Sequence, residues 1–270
     1  MFRNLRQLIP ALLTAGILSV PATLHASENP HYTFIHSAWM GGWQWQGLTQ
    51  EMGDAAQFAT PDLPAHGSDK TAPSDVSLAS YAETVANEIN NVDGKTILVS
   101  HSFGGVVASQ TAEMVPEKIA ALVYVCAFML PDGASFMDAI NGVEDSVALN
   151  NLQFSEDGTT VVIKDDALHS AVGHDVPLDA FAAAGPYLVA EPVGPLGEAV
   201  SLSAENYGSI PKYYVECTDD RAIPVAQQRG MYEAQPVEAV YSLATSHLPM
   251  FSNVTGLAEA LQDIAARVNR

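Results

Sequence analysis

Apolar positions recur along the chain with two different periods. Short runs of β-branched and aliphatic residues are typical of buried strands, and they alternate with stretches in which apolar residues recur every three or four positions, as in amphipathic helices. The runs predict strands at residues 32–36, 57–60, 96–100, 121–128, 212–217 and 239–243, and the stretches predict helices at 78–89, 106–114 and 254–268. Alternating strands and helices are the signature of an α/β fold, so we expect a mostly parallel sheet flanked by helices.

The interval 131–208 interrupts this alternation. It is rich in Gly, Pro, Asp and Ala and predicts short helical pieces at best. Because structureless loops of this length are uncommon inside a domain, we interpret the interval as an inserted cap. Ligands of α/β sheets bind at the carboxyl ends of the strands, so the cap would cover the site. Residues 27–270 would then form a single domain.

Residues 1–26 have the composition of a secretory signal peptide. Arg3 and Arg6 precede an apolar run at 8–20, and small residues follow at 21–26. The run is shorter than the ~20 apolar residues that a membrane-spanning helix needs. We therefore expect an exported protein, periplasmic or secreted, without a membrane anchor after cleavage. An uncleaved N-terminal anchor is the alternative.

The chain is strongly acidic. It has 31 Asp and Glu against 11 Lys and Arg, and the loss of residues 1–26 would change its formal net charge from −20 to −22. Such a surface disfavours nucleic acid and anionic lipid as partners. No Cys/His cluster has metal-ligand spacing, so we expect neither metal nor cofactor. The oligomeric state stays open, and a homodimer is one option.

The two cysteines, Cys126 and Cys217, each lie in an apolar run that predicts a core strand. Disulfide geometry is strict, so we expect two buried, reduced thiols. A disulfide between them, which an exported protein could form, is the alternative.

Residues 96–107 carry the pattern of a nucleophile elbow. The predicted strand ends at the turn Ser100-His101-Ser102-Phe103-Gly104, and a helical pattern follows at once. In such a turn the central serine, Ser102, is the nucleophile, and the residues two before and two after it must be small. Ser100 stands where the pattern usually has glycine, and we expect His101 to point into the core. The alternative is a buried serine in an ordinary strand-to-helix turn.

Two backbone N–H groups near this turn are candidates for an oxyanion hole. The helix behind Ser102 directs its free N–H groups and its positive dipole end at the site. In α/β-hydrolases one donor is the residue after the nucleophile and the other lies in the loop after the first strand. By position these are Phe103 and Ala38. The neighbouring Trp39 either lines the pocket or packs in the core.

An acid and a base follow later in the chain. Asp220 comes after the predicted strand 212–217 and before a helix that begins with proline, with Asp219 as the fallback and Asp132 as a more distant rival. Either of the first two could instead cap that helix. His247 follows the last predicted strand, so the order Ser102, Asp220, His247 is that of an α/β-hydrolase triad. In a triad the acid orients the imidazole of the base.

These segments together resemble the α/β-hydrolase superfamily. More narrowly, they resemble the branch that contains plant methyl-ester esterases, hydroxynitrile lyases and related bacterial carboxylesterases. The residues that carry the resemblance are 36–45, 62–68, 100–105, 127–132, 205–224 and 247–251. It implies an α/β-hydrolase fold with Ser102, Asp220 and His247 as the triad and Ala38 and Phe103 as oxyanion donors.

The resemblance favours a serine carboxylesterase that works through an acyl-enzyme. Lyases of this branch need a Thr in the oxyanion loop and a Lys directly after the catalytic His, where this chain has Ser37 and Leu248. Leu248 cannot supply the charge that would stabilise a cyanide leaving group. The alternatives are lyase or cofactor-free dioxygenase chemistry on the same fold, or a ligand-binding module with little turnover.

Apolar side chains near the predicted site suggest a substrate pocket. The candidates lie beside the predicted oxyanion loop, beside the end of a strand or just after the histidine: Trp39, Phe128, Leu248, Met250 and Phe251. An acidic, cation-poor chain offers few partners to a charged substrate. We therefore expect small apolar or aromatic esters as the partner molecules.

Overall fold

The structure is a computed structural model that describes residues 29–268, and the predicted signal peptide at 1–26 lies outside them. The strands are β1 (His31–Ile35), β2 (Gln57–Ala59), β3 (Thr96–His101), β4 (Ile119–Val125), β5 (Leu152–Phe154), β6 (Thr160–Ile163), β7 (Glu191–Pro192), β8 (Lys212–Cys217) and β9 (Ala239–Leu243). The helices are α1 (Gln46–Met52), α2 (Leu78–Asn90), α3 (Gly104–Met114), α4 (Phe136–Ile140), α5 (Asp165–Val172), α6 (Leu178–Ala184), α7 (Val193–Gly197), α8 (Val225–Ala234), α9 (Pro249–Ser252) and α10 (Val254–Val268).

Six strands form the main sheet in the order β2-β1-β3-β4-β8-β9, and all neighbours are parallel. This confirms the predicted α/β fold. β8, β9 and α10 have the predicted bounds, whereas β4 begins two residues earlier and ends three residues earlier than predicted. β4 stops at Val125 because Cys126 has a φ of +43°, in the left-handed region, which turns the chain out of the sheet.

The two faces of the sheet bury two separate cores. In the central strand β3, Leu98 contacts the core that contains α2 and α3, whereas Ile97 and Val99 contact the core that contains α1 and α10. All three side chains are at most 3% exposed. Helices therefore cover both faces, which leaves the carboxyl edge of the sheet as the accessible end.

The segment between β4 and β8 adds a small layer over that edge. It contains the helices α4 to α7 and also a three-stranded antiparallel sheet, β5-β6-β7. The sequence indicated only short helical pieces here. These strands are two to four residues long, too short for the alternation of side chains that reveals a strand.

The expectation of two reduced thiols is wrong, because the structure joins Cys126 and Cys217 in a disulfide. Cys126 directly follows β4, and Cys217 is the last residue of the neighbouring parallel strand β8. Their Cα atoms lie 5.6 Å apart. That separation is within the usual range for a disulfide. Within residues 29–268, no helix has the length and apolar character needed to cross a membrane.

Candidate active site

Ser102 lies in a sharp turn between β3 and α3 at the carboxyl edge of the sheet. Its φ is +56°, a conformation that non-glycine residues rarely adopt outside functional turns. The turn passes so close to the loop after β1 that a Cβ on Gly104 would lie 2.6 Å from the carbonyl oxygen of His36. Ser100, which replaces the usual glycine, is tolerated because its hydroxyl donates to the carbonyl oxygen of Val123 on β4 at 3.2 Å.

The side chains of His247 and Asp220 are in contact, and His247 lines the same cavity as Ser102. His247 Nδ1 lies 2.6 Å from Asp220 Oδ2, and both side chains are almost fully buried. Asp220 Oδ1 also accepts the backbone N–H groups of Ala222 and Ile223 at 2.7 and 2.9 Å. These donors stabilise the carboxylate and fix its orientation. Among the described residues, none accepts from or donates to the Ser102 hydroxyl, and catalytic hydrogen bonds are often long in unliganded enzymes.

The structure places the two rival acids elsewhere. Asp219 is exposed, and its backbone N–H donates to the carbonyl oxygen of Thr245. Asp132 is also exposed, and its carboxylate accepts the N–H of Leu202 at 2.8 Å. Of the three predicted candidates, only Asp220 contacts His247.

A buried polar chain connects the histidine loop with the loop after β1. His101 Nε2 donates to the carbonyl oxygen of His247 at 2.7 Å, and its Nδ1 faces the Gln44 amide at 3.5 Å. Complete burial holds the pKa of His101 well below its ordinary value, so its ring is neutral. Gln44 Oε1 in turn accepts both the N–H and the hydroxyl of Ser37, each at 3.1 Å. The Ser37 hydroxyl is thus held by Gln44.

The N–H groups of Ala38 and Phe103 are the candidate oxyanion donors. Phe103 opens α3 directly after Ser102, and Ala38 lies in the loop after β1. Neither N–H is bonded to another described residue, whereas the N–H groups of Ser37 and Trp39 are both bonded to side chains. Two unpaired donors beside the same serine are what a developing oxyanion requires.

Two cavities open from Ser102 and His247. The larger has a volume of about 300 Å³ and contains no charged side chain. Trp39, Leu248 and Phe251 line it together with residues of α5 and α6. The smaller has a volume of about 30 Å³ and lies against the rings of Phe103, Phe128 and Phe136, which make edge-to-face contacts. Among the described residues, no group of three His, Cys, Asp or Glu is placed to hold a metal ion.

Met250 is the predicted pocket residue that the structure does not place in either cavity. It is 1% exposed and packs in the core beside α1 and α10. Leu248 and Phe251 are three residues apart and share one side of the turn into α9, whereas Met250 points away from it. An apolar run alone does not distinguish the side that faces the cavity from the side that faces the core.

Three polar residues near the site were not predicted. Gln44, Gln228 and Glu191 are fully buried and hydrogen-bonded to the loops around the cavity. For Gln44 and Glu191 the available signal was their apolar neighbours in the sequence, such as the two tryptophans beside Gln44, since a polar residue there needs a buried partner. Gln228 has polar neighbours and gave no such signal.

The sequence profile of the alpha/beta hydrolase family matches residues 34–260. The chain belongs to this family. It is 30% identical to putative methylesterase 11, chloroplastic, of Arabidopsis thaliana over 271 residues, which cover 95% of this chain and 69% of the relative. It is 29% identical to methylesterase 7 of the same plant over 248 residues, which cover 87% of this chain and 95% of the relative.

A solved structure extends the comparison. The pyrethroid hydrolase from Sphingobium faniae superimposes with a TM-score of 0.79 at 26% identity, covering 88% of this chain and 97% of that one. With the family match, these relatives make the chain an esterase-type α/β-hydrolase.

Proposed function

We propose that this chain is a serine carboxylesterase in which Ser102 is the nucleophile, His247 the base and Asp220 the acid. The observation that carries the proposal is the contact of His247 Nδ1 with Asp220 Oδ2 at 2.6 Å, next to a serine with a φ of +56°. The unpaired N–H groups of Ala38 and Phe103 support it, because they lie where an oxyanion hole is needed.

In the proposed mechanism, His247 removes the proton from Ser102 as its Oγ attacks the ester carbonyl. The negative charge that develops on the carbonyl oxygen is stabilised by the two backbone N–H groups. His247 then gives the proton to the departing alcohol, and Asp220 stabilises the imidazolium in between. Water attacks the acyl-enzyme with His247 again as base, which releases the acid and restores Ser102.

The cavities support an ester with two unequal parts as the substrate. The space of about 300 Å³ accommodates an apolar or aromatic group, and the space of about 30 Å³ accommodates a group the size of a methyl. Glu191 is the charged residue that lines the smaller cavity, and it is paired with His66. An anionic substrate group would therefore lose its hydration without gaining a partner.

Hydrolysis of p-nitrophenyl esters of increasing acyl length tests this function, with Ser102→Ala as the matched variant. We expect wild-type turnover that falls by at least about 10³-fold in the variant, since loss of a triad member costs several orders of magnitude. Equal activity in both proteins, or none in either, would contradict the proposal. Mandelonitrile serves as the lyase control, and we expect no cleavage of it.

We also propose that the protein is exported and that residues 1–26 are removed. The Cys126–Cys217 disulfide supports export, because such bonds persist mainly in oxidising compartments. Mass spectrometry of the protein recovered from the periplasm or medium tests this. A chain that retains residues 1–26 in the cytosol would contradict it.

A further inference from the structure

Glu191, on strand β7 of the cap, is a fully buried carboxylate next to the oxyanion loop. Its Oε2 accepts the backbone N–H of Trp39 at 3.0 Å and lies 2.8 Å from Nε2 of His66. A buried carboxylate is costly unless it is paired and hydrogen-bonded. Its two partners belong to two different loops of the main domain, so Glu191 joins the cap to both.

His66 is positively charged in this pair. Its Nδ1 lies 3.0 Å from the carbonyl oxygen of Pro64 and its Nε2 faces Glu191, so both ring nitrogens face acceptors and both carry a proton. Burial lowers the pKa of His66, but the charge of Glu191 and the hydrogen bonds to Glu191 and Pro64 together raise that pKa above its ordinary value. The contact with His66 therefore holds the Glu191 side chain in place.

The cap holds every polar backbone group of Trp39 as well as its indole. Glu191 accepts the Trp39 N–H, Val189 donates its N–H to the Trp39 carbonyl oxygen at 2.9 Å, and the indole N–H donates to Val161 at 2.9 Å. Trp39 has a φ of +64°. A bulky residue keeps this conformation only where its surroundings impose it.

These contacts decide the direction of the N–H immediately before Trp39. Gln44 binds the N–H of Ser37 from the core side, and Glu191 binds the N–H of Trp39 from the cap side. Between the two, the N–H of Ala38 is left without a partner among the described residues. Hydrogen bonds therefore fix the residues on both sides of Ala38, whose N–H is the unpaired donor.

We propose that Glu191 is a positioning residue through which the cap aims the Ala38 N–H at the oxyanion. This inference rests on the proposed esterase function. Without an acceptor at position 191, the Ala38–Trp39 peptide loses the contact that fixes the direction of its N–H, and the Ala38 donor loses its alignment. Because the oxyanion forms only in the transition state, the loss falls on kcat and leaves KM nearly unchanged.

The test compares Glu191→Gln with the double variant Glu191→Leu/His66→Leu. Glutamine keeps an oxygen acceptor for the Trp39 N–H, so we expect kcat within about threefold of wild type. The double variant removes the whole ion pair, a replacement that often preserves stability. Because the Trp39 N–H is left without its acceptor, we expect Tm to fall by a few degrees only. We expect kcat to fall by about 10- to 100-fold, less than the 10²–10³ that removal of an entire oxyanion donor costs.

Glu113→Leu is the matched control. Glu113 on α3 also accepts several hydrogen bonds from the end of the inserted segment, including those of the Ser203 N–H and hydroxyl at 2.8 and 2.7 Å. It lines neither cavity at Ser102. We expect this variant to lose stability and to keep kcat when assayed well below its Tm.

An alkyl trifluoromethyl ketone provides a second readout, because its adduct with Ser102 carries an oxyanion. We expect its affinity for the double variant to fall by the same factor as kcat. Three results would each overturn the positioning role. The first is a loss of kcat in folded Glu113→Leu as large as that in the double variant. The others are a double variant in which KM rises while kcat is unchanged, and a double variant with wild-type kinetics. Absence of Ser102-dependent turnover in wild type would instead refute the esterase function.

Discussion

The Gln228 side chain lies within hydrogen-bond distance of the proposed acid, Asp220. We expect its replacement by Met to lower the stability of the fold strongly and the rate of catalysis only slightly. The buried side-chain amide accepts the Cys217 N–H at 3.1 Å and donates towards the carbonyl oxygens of Cys217 and Ile223 at 3.1 and 2.7 Å. It also faces Asp220 Oδ2 at 3.2 Å. Methionine has a similar shape, so Gln228→Met removes the hydrogen bonds while leaving little empty space.

The expected loss of stability follows from the groups left without partners. A buried polar group that loses its hydrogen bond costs about 1–3 kcal/mol, and here one N–H, two carbonyl groups and one carboxylate oxygen are affected. The Cys217 carbonyl oxygen keeps the N–H of Asp220, and Asp220 Oδ2 keeps His247. The Cys217 N–H and the Ile223 carbonyl oxygen are left without these partners, so we expect a total of about 3–5 kcal/mol. For a domain of this size that corresponds to a fall in Tm of about 10 °C.

The effect on catalysis should be small. Asp220 keeps the N–H groups of Ala222 and Ile223 and its contact with His247. We therefore expect kcat/KM for a p-nitrophenyl ester to fall less than about tenfold at 20 °C, where the variant is still folded. Thermal melting followed by circular dichroism gives the Tm, and spectrophotometric turnover gives kcat/KM.

The neighbouring Gln227→Met is the control for the same chemical change. Gln227 is half-buried and donates one hydrogen bond, to Ala139 at 3.0 Å. We expect its Tm to fall by only a few degrees. The reasoning is refuted if Gln228→Met melts within 2 °C of wild type (a threshold of about 1 kcal/mol), or if it loses turnover as completely as Ser102→Ala.

Three further outcomes are expected. Hydrogen bonds from Arg229 hold the pKa of Glu216 below its ordinary value, so the stability that this ion pair contributes is present at neutral pH and is lost as the pH falls through that lowered pKa. Glu216→Gln should accordingly lower Tm at pH 7, by an amount that shrinks as the pH is lowered. Replacing Cys126 and Cys217 by Ala should cost about 2–4 kcal/mol in denaturant unfolding, since the disulfide closes a loop with a sequence separation of 91. Asp219→Asn should keep kcat within about twofold in the same ester assay, because Asp219 is exposed and does not contact His247.

Local pattern was sufficient where local interactions decide the structure. β8 and β9 were predicted with their observed bounds because each is a continuous run whose ends are marked by turn residues. The turn at Ser102 was predicted because a strand, small residues and a helix must follow one another within a few positions. The strands of the cap were missed because they are short and pair only with each other.

The sequence by itself determined the α/β class, the sharp turn at Ser102 and the order of candidate residues, since these depend on neighbours in the chain. Tertiary structure decided which distant residues meet. It brought Asp220, and not Asp219, into contact with His247, paired Cys126 with Cys217 across 91 positions, and brought Glu191 to Trp39 across 152. Periodicity records which side of an element is apolar, but it carries no information on which element packs there. Only the packing of the sheet and cap supplies that information, because it depends on all the elements at once.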